Sequence, residues 1–87
     1  MEGKFPAKIK ELPWARNGEA YVLADSQANK SYPLDPISFL VWVQCDGRTK
    51  LDSIVDIFAV NGNRDIVKAA VEGILDKLQN NGLIKWV

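Results

Sequence analysis

Hydrophobic and polar positions change their period at Asp35. Before Asp35 they alternate over short runs, and after it they recur every three or four residues. Ala7 to Trp14 and Glu19 to Ala24 read as two strands on either side of Asn17-Gly18. Asn-Gly between apolar runs is a strong hairpin signal, because both residues tolerate the positive φ of a type I′ turn. Alternation is imperfect in the first strand. Ile9 and Leu12 fall on opposite faces, so a bulge or a strand end is expected between them. Pro13 fits that interruption or an edge position, since it cannot donate to a ladder. Asp25 to Asn29 is turn chemistry, and Lys30 to Leu34 makes a short third strand.

From Asp35 onward the period is helical. Asp35 can cap a helix, and Pro36 suits its first position. That helix should reach about Cys45 and is apolar nearly all round. Ile37, Leu40, Val41 and Cys45 form one stripe, while Phe39, Trp42 and Val43 occupy the other side. A helix apolar on every side must be buried by its own fold or by something that binds. Asp46-Gly47 stops it. Thr49 with Asp52 resembles a capping box for a second helix, along which Leu51, Ile54, Val55 and Phe58 follow at helical spacing. Asn61-Gly62-Asn63 breaks the chain, and Asn63 or Asp65 can cap a third helix from about Arg64 to Asn80. Its core stripe is Val67, Val71, Ile74, Leu75 and Leu78, with Ile66, Ala70 and Gly73 on one flank and Lys77 beyond. Gly82 ends it, and Leu83 to Val87 is a closing strand. The order β-β-β-α-α-α-β is an α+β class: a small three-stranded antiparallel sheet, three helices and a short C-terminal strand. The expected core is Ile37, Leu40, Val41, Ile54, Val55, Phe58, Val71, Ile74 and Leu78. Eighty-seven residues make a single domain, 1–87.

Charge and composition narrow the chemistry. Eleven basic and eleven acidic residues cancel, whereas a protein built for phosphate backbones needs a positive surplus. The single cysteine, Cys45, cannot form an internal disulfide, and a small secreted domain is usually stapled, so a cytoplasmic location is expected. With no histidine and one cysteine, neither a metal site nor a cofactor is expected. The longest apolar run, Phe39 to Val43, is far short of the ~20 residues that cross a bilayer. The start, Met1-Glu-Gly-Lys-Phe-Pro, lacks the apolar stretch of a signal peptide. Asp35, Asp52, Asp56, Asp65, Glu72 and Asp76 each have a structural use as a cap, a dipole partner or a solvated charge. The serines have no histidine partner and the glycines form no phosphate loop, so no catalytic residues and no enzyme activity are expected.

Four positions carry more information. Cys45, on the buried stripe, reads as a small hydrophobe. Trp42 serves either as core or as a contact for a partner. Gly73 sits mid-helix at a cost of about 1 kcal/mol against Ala. Either it packs tightly on another helix, or with Ala70 it leaves a shallow trough for another backbone. Lys30 to Leu34, if it is a sheet edge, presents unpaired amides and carbonyls. Lys30 and Pro33 blunt that edge in part, or the edge is left open to receive a peptide strand.

Leu34-Asp35, Val41-Trp42, Asp46-Gly47-Arg48-Thr49, Ile54-Val55 and Phe58 resemble, in order and spacing, the PqqD-like family. Asp65-Ile66, Val71, Leu75, Leu78 and Gly82-Leu83-Ile84 resemble that family's last helix and its Gly-Leu-Leu ending. The resemblance covers Leu34 to Ile84 and is loose over the N-terminal hairpin. Ile37-Ser38 stands where the family usually carries Thr-Ala, and Val60-Asn61-Gly62-Asn63 replaces an aromatic-Pro segment. The resemblance implies a winged-helix-like domain that binds the leader segment of a ribosomally made precursor peptide. It implies presentation of that peptide to a modifying enzyme, often a radical SAM enzyme, as in pyrroloquinoline quinone biosynthesis. The leader is then expected to add as a strand, in a cleft against the last helix. Lys30, Ser31, Tyr32 and Leu34 would line the strand side, and Ile66, Ala70, Gly73 and Lys77 the helix side. Two other readings are open: a winged-helix DNA-binding regulator, and a scaffold or interaction subunit without a peptide ligand. Against the regulator, Arg64, Lys68 and Lys77 on the third helix are cancelled by Asp65, Glu72 and Asp76. Neither nucleic acid nor a membrane is an expected partner.

Overall fold

In the computed structural model, which describes residues 4–60 and 62–87, eight elements follow one another. They are β1 (Pro6–Lys8), β2 (Trp14–Asn17), β3 (Ala20–Asp25), β4 (Lys30–Leu34), α1 (Pro36–Gln44), α2 (Leu51–Phe58), α3 (Arg64–Asn80) and β5 (Ile84–Trp86). The expected three-stranded antiparallel sheet is present in the order β2-β3-β4, with the three helices and the closing strand after it. Asn61, within the expected break before α3, lies outside the described residues, as does the Met1-Glu2-Gly3 start.

The expected first strand is instead two strands belonging to two sheets. β1 pairs antiparallel with β5, Pro6 opposite Trp86 and Lys8 opposite Ile84. β2 pairs with β3. Between them the backbone changes partner: the Ile9 N–H donates to Leu83 O at 3.1 Å, and Pro13 O accepts from Ala24 N–H at 2.9 Å. The hairpin turn also moves by one residue. Asn17 pairs with Ala20, leaving Gly18-Glu19 as the loop. Only Gly18 of that loop has positive φ, +64°. That is the type II′ pattern, with glycine in the first central position, rather than the type I′ expected for Asn-Gly. The next loop, Ser26 to Asn29, is closed by the Asp25–Lys30 pair. The buried Asp25 carboxylate accepts the Ala28 N–H at 3.2 Å and meets the Lys10 ammonium at 3.0 Å.

Successive strand residues face opposite sides. The register puts Tyr21, Leu23, Tyr32 and Leu34 on one face of the sheet, with Leu23 fully buried. α1 packs there. Phe39 stacks on Tyr21 with ring centroids 4.1 Å apart, and Trp14 meets Phe39 edge-on at 4.8 Å. Asp35 caps the helix as expected, accepting the Ser38 N–H at 2.7 Å. Its buried face is Phe39, Val41, Trp42 and Cys45. Two expected core residues are therefore corrected: Ile37 is 58% exposed and Leu40 47%. The helix is turned by roughly one residue, ~100°, from the face its stripe suggested. Because α1 is apolar on all sides, its sequence period does not choose a face; the aromatic cluster on the sheet does, by recruiting Phe39 and Trp42.

The expected capping box at Thr49 does not form. Lys50 takes the N-cap of α2, with no side-chain bond. Asp46 draws Thr49 away, accepting its hydroxyl at 3.1 Å and the N–H groups of Arg48 and Thr49 at 2.8 and 2.9 Å. Gly47 adopts φ +75°, and a Cβ there would lie 3.3 Å from that of Ala7, so glycine lets β1 pass close to the end of α1. Ile54 and Val55 of α2 and Val71, Leu75 and Leu78 of α3 complete the core, with Phe58 and Ile74 half-buried. Asn63 caps α3 through the Asp65 and Ile66 N–H groups at 2.9 and 3.3 Å. At its far end Gly82 N–H donates to Gln79 O and Leu83 N–H to Leu78 O, both at 2.9 Å, which turns the chain into β5. Among the described residues no helix is long and apolar enough to cross a membrane. Nor, among them, do three or more His, Cys, Asp or Glu residues gather where they could hold a metal ion.

Candidate functional site

β4 runs directly into α1 through the single residue Asp35. The end of the strand therefore sits at the mouth of a groove between the start of α1 and the outer face of α3. Asp35, Pro36 and Ile37 form one wall, and Ala70 and Ile74 the other, around a space of about 450 Å3. A further space of about 260 Å3 continues from Ile37, Ala70 and Ile74 toward Phe58 and Ile66. The lining is almost wholly apolar. Asp35 at the rim is occupied in capping α1.

On the strand side, Lys30, Tyr32 and Leu34 share the face that carries α1, with Tyr32 and Leu34 half-buried against the core. Ser31 and Pro33 face the opposite side. The Ser31 side chain is therefore not aimed at the groove, and of that residue only the backbone is placed to serve it. β4 is an edge of its sheet, with β3 on one flank. On the helix side, Ile66 is 69% exposed and reaches the groove with Ala70. A Cβ on Gly73 would meet nothing within 4 Å, so the reading in which this glycine packs against another helix is set aside. Gly73 and Lys77 lie at the solvent margin of the same face, one turn apart.

Sequence reasoning assigned Ile37 and Ile74 to the core and missed them as groove residues. A signal existed: α1 carries more apolar surface than one neighbouring layer can cover. Trp42, open to two readings from sequence, is 2% exposed and packs in the core beside Phe39, with the Lys8 ammonium 5.0 Å from its ring centroid. Two of the cations on α3 are turned toward α2. Arg64 pairs with Asp56 at 3.1 Å and Asp52 at 3.6 Å, and Lys68 with Asp52 at 3.8 Å. The Asp56 carboxylate, foremost among these contacts, holds the Arg64 guanidinium above its ordinary value. What this arrangement offers is a row of backbone groups beside an apolar trough, suited to holding an extended chain.

No curated protein matches the sequence at a significant level. A solved structure described as TbiB1 in complex with the TbiA(β) leader peptide shares the fold, with a TM-score of 0.72 over 90% of this chain and 93% of the other at 20% identity. The family described as coenzyme PQQ synthesis protein D, PqqD, matches residues 20–84. The match opens at the first residue of β3 and closes at the first residue of β5, leaving out the N-terminal strands where the sequence resemblance was loose. Covering well over half of the molecule, including β4, α1 and α3, it establishes that the chain belongs to the PqqD family.

Proposed function

We propose that this chain binds the leader segment of a ribosomally made precursor peptide as a strand added along β4, and presents the peptide to a modifying enzyme of the radical SAM class. The observation that carries the reading is the open edge of β4 beside the apolar groove between α1 and α3 in a PqqD-family chain. The neighbour of the same fold that holds a leader peptide supports it.

Strand addition supplies affinity through main-chain hydrogen bonds and specificity through every second side chain. Side chains of the ligand on the α1 side of the sheet would enter the trough between Ile37 and Ala70, flanked by Tyr32 and Leu34 and by Ile66, Gly73 and Lys77. Lys30 stands at the start of the strand. The chain's own contribution is positional: holding the leader raises the effective concentration of the attached segment at an enzyme bound elsewhere on the domain. The reading assigns the chain no reaction of its own.

Titrating the labelled protein with the leader of a short precursor encoded beside its gene tests this reading. The decisive variant is Gly73→Leu. Open space surrounds the position, and helix propensity favours Leu over Gly by up to about 1 kcal/mol. The variant should therefore melt no earlier than the parent and lose the peptide. A folded variant that keeps full affinity removes the groove assignment, and one that unfolds early shows that Gly73 packs where the structure has open space.

A further inference from the structure

The edge of β4 is not symmetric in donors and acceptors, and the asymmetry comes from this chain's own residues. In an antiparallel ladder each residue turns its N–H and C=O to one side, and its neighbours turn theirs to the other. The Ala24 N–H points toward the β2 side of the sheet, where it meets Pro13 O at 2.9 Å. Tyr21, Leu23 and Asp25 therefore direct their backbone groups at β4, where their partners are Leu34, Tyr32 and Lys30. The residues between those partners, Ser31 and Pro33, turn theirs away from β3, to the open edge. Pro33 has no N–H. Within β4 the free edge thus offers two carbonyls, of Ser31 and Pro33, and one donor, the Ser31 N–H. The next carbonyl in line, that of Asp35, is taken by the Phe39 N–H at 2.9 Å.

We infer that this two-acceptor, one-donor edge sets the register of the strand that β4 receives, an inference that rests on the leader-binding reading above. For an antiparallel ligand, the residue opposite Ser31 makes both of its hydrogen bonds. The residue two places before it in the ligand, opposite Pro33, donates its N–H and leaves its carbonyl unmatched. The ligand residue between these two, opposite Tyr32, and the one just before them, opposite Leu34, carry their side chains to the α1 face and so to the Ile37–Ala70 trough. A one-residue slip points those anchors away from the groove. A two-residue slip moves the residue that needs a donor from Ser31 to Pro33. The positions in the ligand that depend on backbone amides and those that depend on side chains must alternate, and only two of the amides count.

The test uses a dodecamer selected from a random phage-displayed library against the full chain, with its contact at Lys30 to Leu34 mapped by chemical-shift changes. Methylating its amide nitrogens one at a time should weaken binding at least tenfold at two positions, two residues apart. Side-chain truncation should be felt at the positions between and beside them. Pro33→Ala restores the missing donor and should tighten binding about two- to tenfold, the net worth of one hydrogen bond. That gain should vanish when the peptide carbonyl opposite Pro33 is weakened by replacing the following amide with an ester. Ser31→Pro should abolish binding while Ser31→Ala retains it. A dodecamer seated on β4 that ignores both Pro33→Ala and Ser31→Pro overturns the inference and leaves leader binding standing. Failure of every selected dodecamer to contact β4 overturns both.

Discussion

Cys45 has no exposed surface, and its thiol donates to Val41 O at 3.3 Å. Burial pushes the thiol up to about 12, outweighing the attraction of the nearby Lys8 ammonium. Since the thiolate is the reactive form, Cys45 should resist an aromatic disulfide reagent at pH 8 in the folded protein and react only as the chain unfolds. Prompt labelling of the native state would contradict this. Two carboxylates shift the other way. The hydrogen bond from Lys10, then that from the Ala28 N–H, holds Asp25 below its ordinary value. The Arg48 N–H, then the Thr49 hydroxyl and N–H, does the same for Asp46. A carboxyl lowered in the folded state stabilises it above the unfolded value of about 3.9 and loses that contribution as pH falls through the folded value. The melting temperature should therefore hold nearly level from pH 7 to about 5 and drop below about 4, and Asp25→Asn should shrink that acid drop. A profile unchanged by the substitution would deny Asp25 its part. Sequence showed that Asp25 was turn chemistry. It did not show that Lys10, fifteen positions away, would reach it, because that pairing depends on the irregular path between β1 and β2.

At the scale of the element, α1 tests how far a hydrophobic pattern can be read. Its limits were legible because they are written in local chemistry: the Asp35 cap, Pro36 at the first position and Gly47 after the end. Its orientation was not, since an all-round apolar helix presents no polar face to reject burial. The structure's choice has a simple check. Leu40→Ser, on the exposed side, should change stability by no more than about 0.5 kcal/mol, while Trp42→Ala should cost about 3–5 kcal/mol. Denaturant melts of the two variants decide it, and the reverse ranking would restore the stripe first read from the sequence. α3, by contrast, separates its apolar stripe from its charges, and Val71, Leu75 and Leu78 are buried as its period required. The two walls of the groove were unequally legible for the same reason. Ala70 and Ile66 stood out on a helix whose core face was already assigned, whereas Ile37 was lost among the other apolar residues of α1. Thr49 shows the remaining difficulty: two carboxylates lay three positions from it, Asp46 and Asp52, and spacing alone did not say which would win.

Over the whole molecule, the strands divide into a three-stranded sheet that carries the open edge and a two-stranded ribbon that carries none of the groove. The Cα frame measures 38 × 35 × 18 Å, thin in one direction, as expected when helices cover one face of a small sheet. α2 and α3 are held together by Ile54, Val55, Val71 and Leu75 inside and by Arg64 and Lys68 with Asp52 and Asp56 outside. Gly73, exposed on α3 with open space around it, takes no part in this packing, which is why Gly73→Leu is expected to separate folding from binding.

The ribbon has a consequence in time rather than in space. Its register joins Pro6 to Trp86, so its first contact closes a loop of nearly the whole chain, whereas the two hairpins close over two and four residues. Loop-closure entropy grows with the logarithm of loop length, so the ribbon should zip after the sheet and helices have formed. Trp86→Ala, at a half-buried site, should cost about 1–3 kcal/mol and express nearly all of it as faster unfolding, with the refolding rate little changed. Stopped-flow refolding and unfolding of that variant measure the division. Slowed refolding with unaltered unfolding would instead make this terminal pairing the nucleus from which the fold grows.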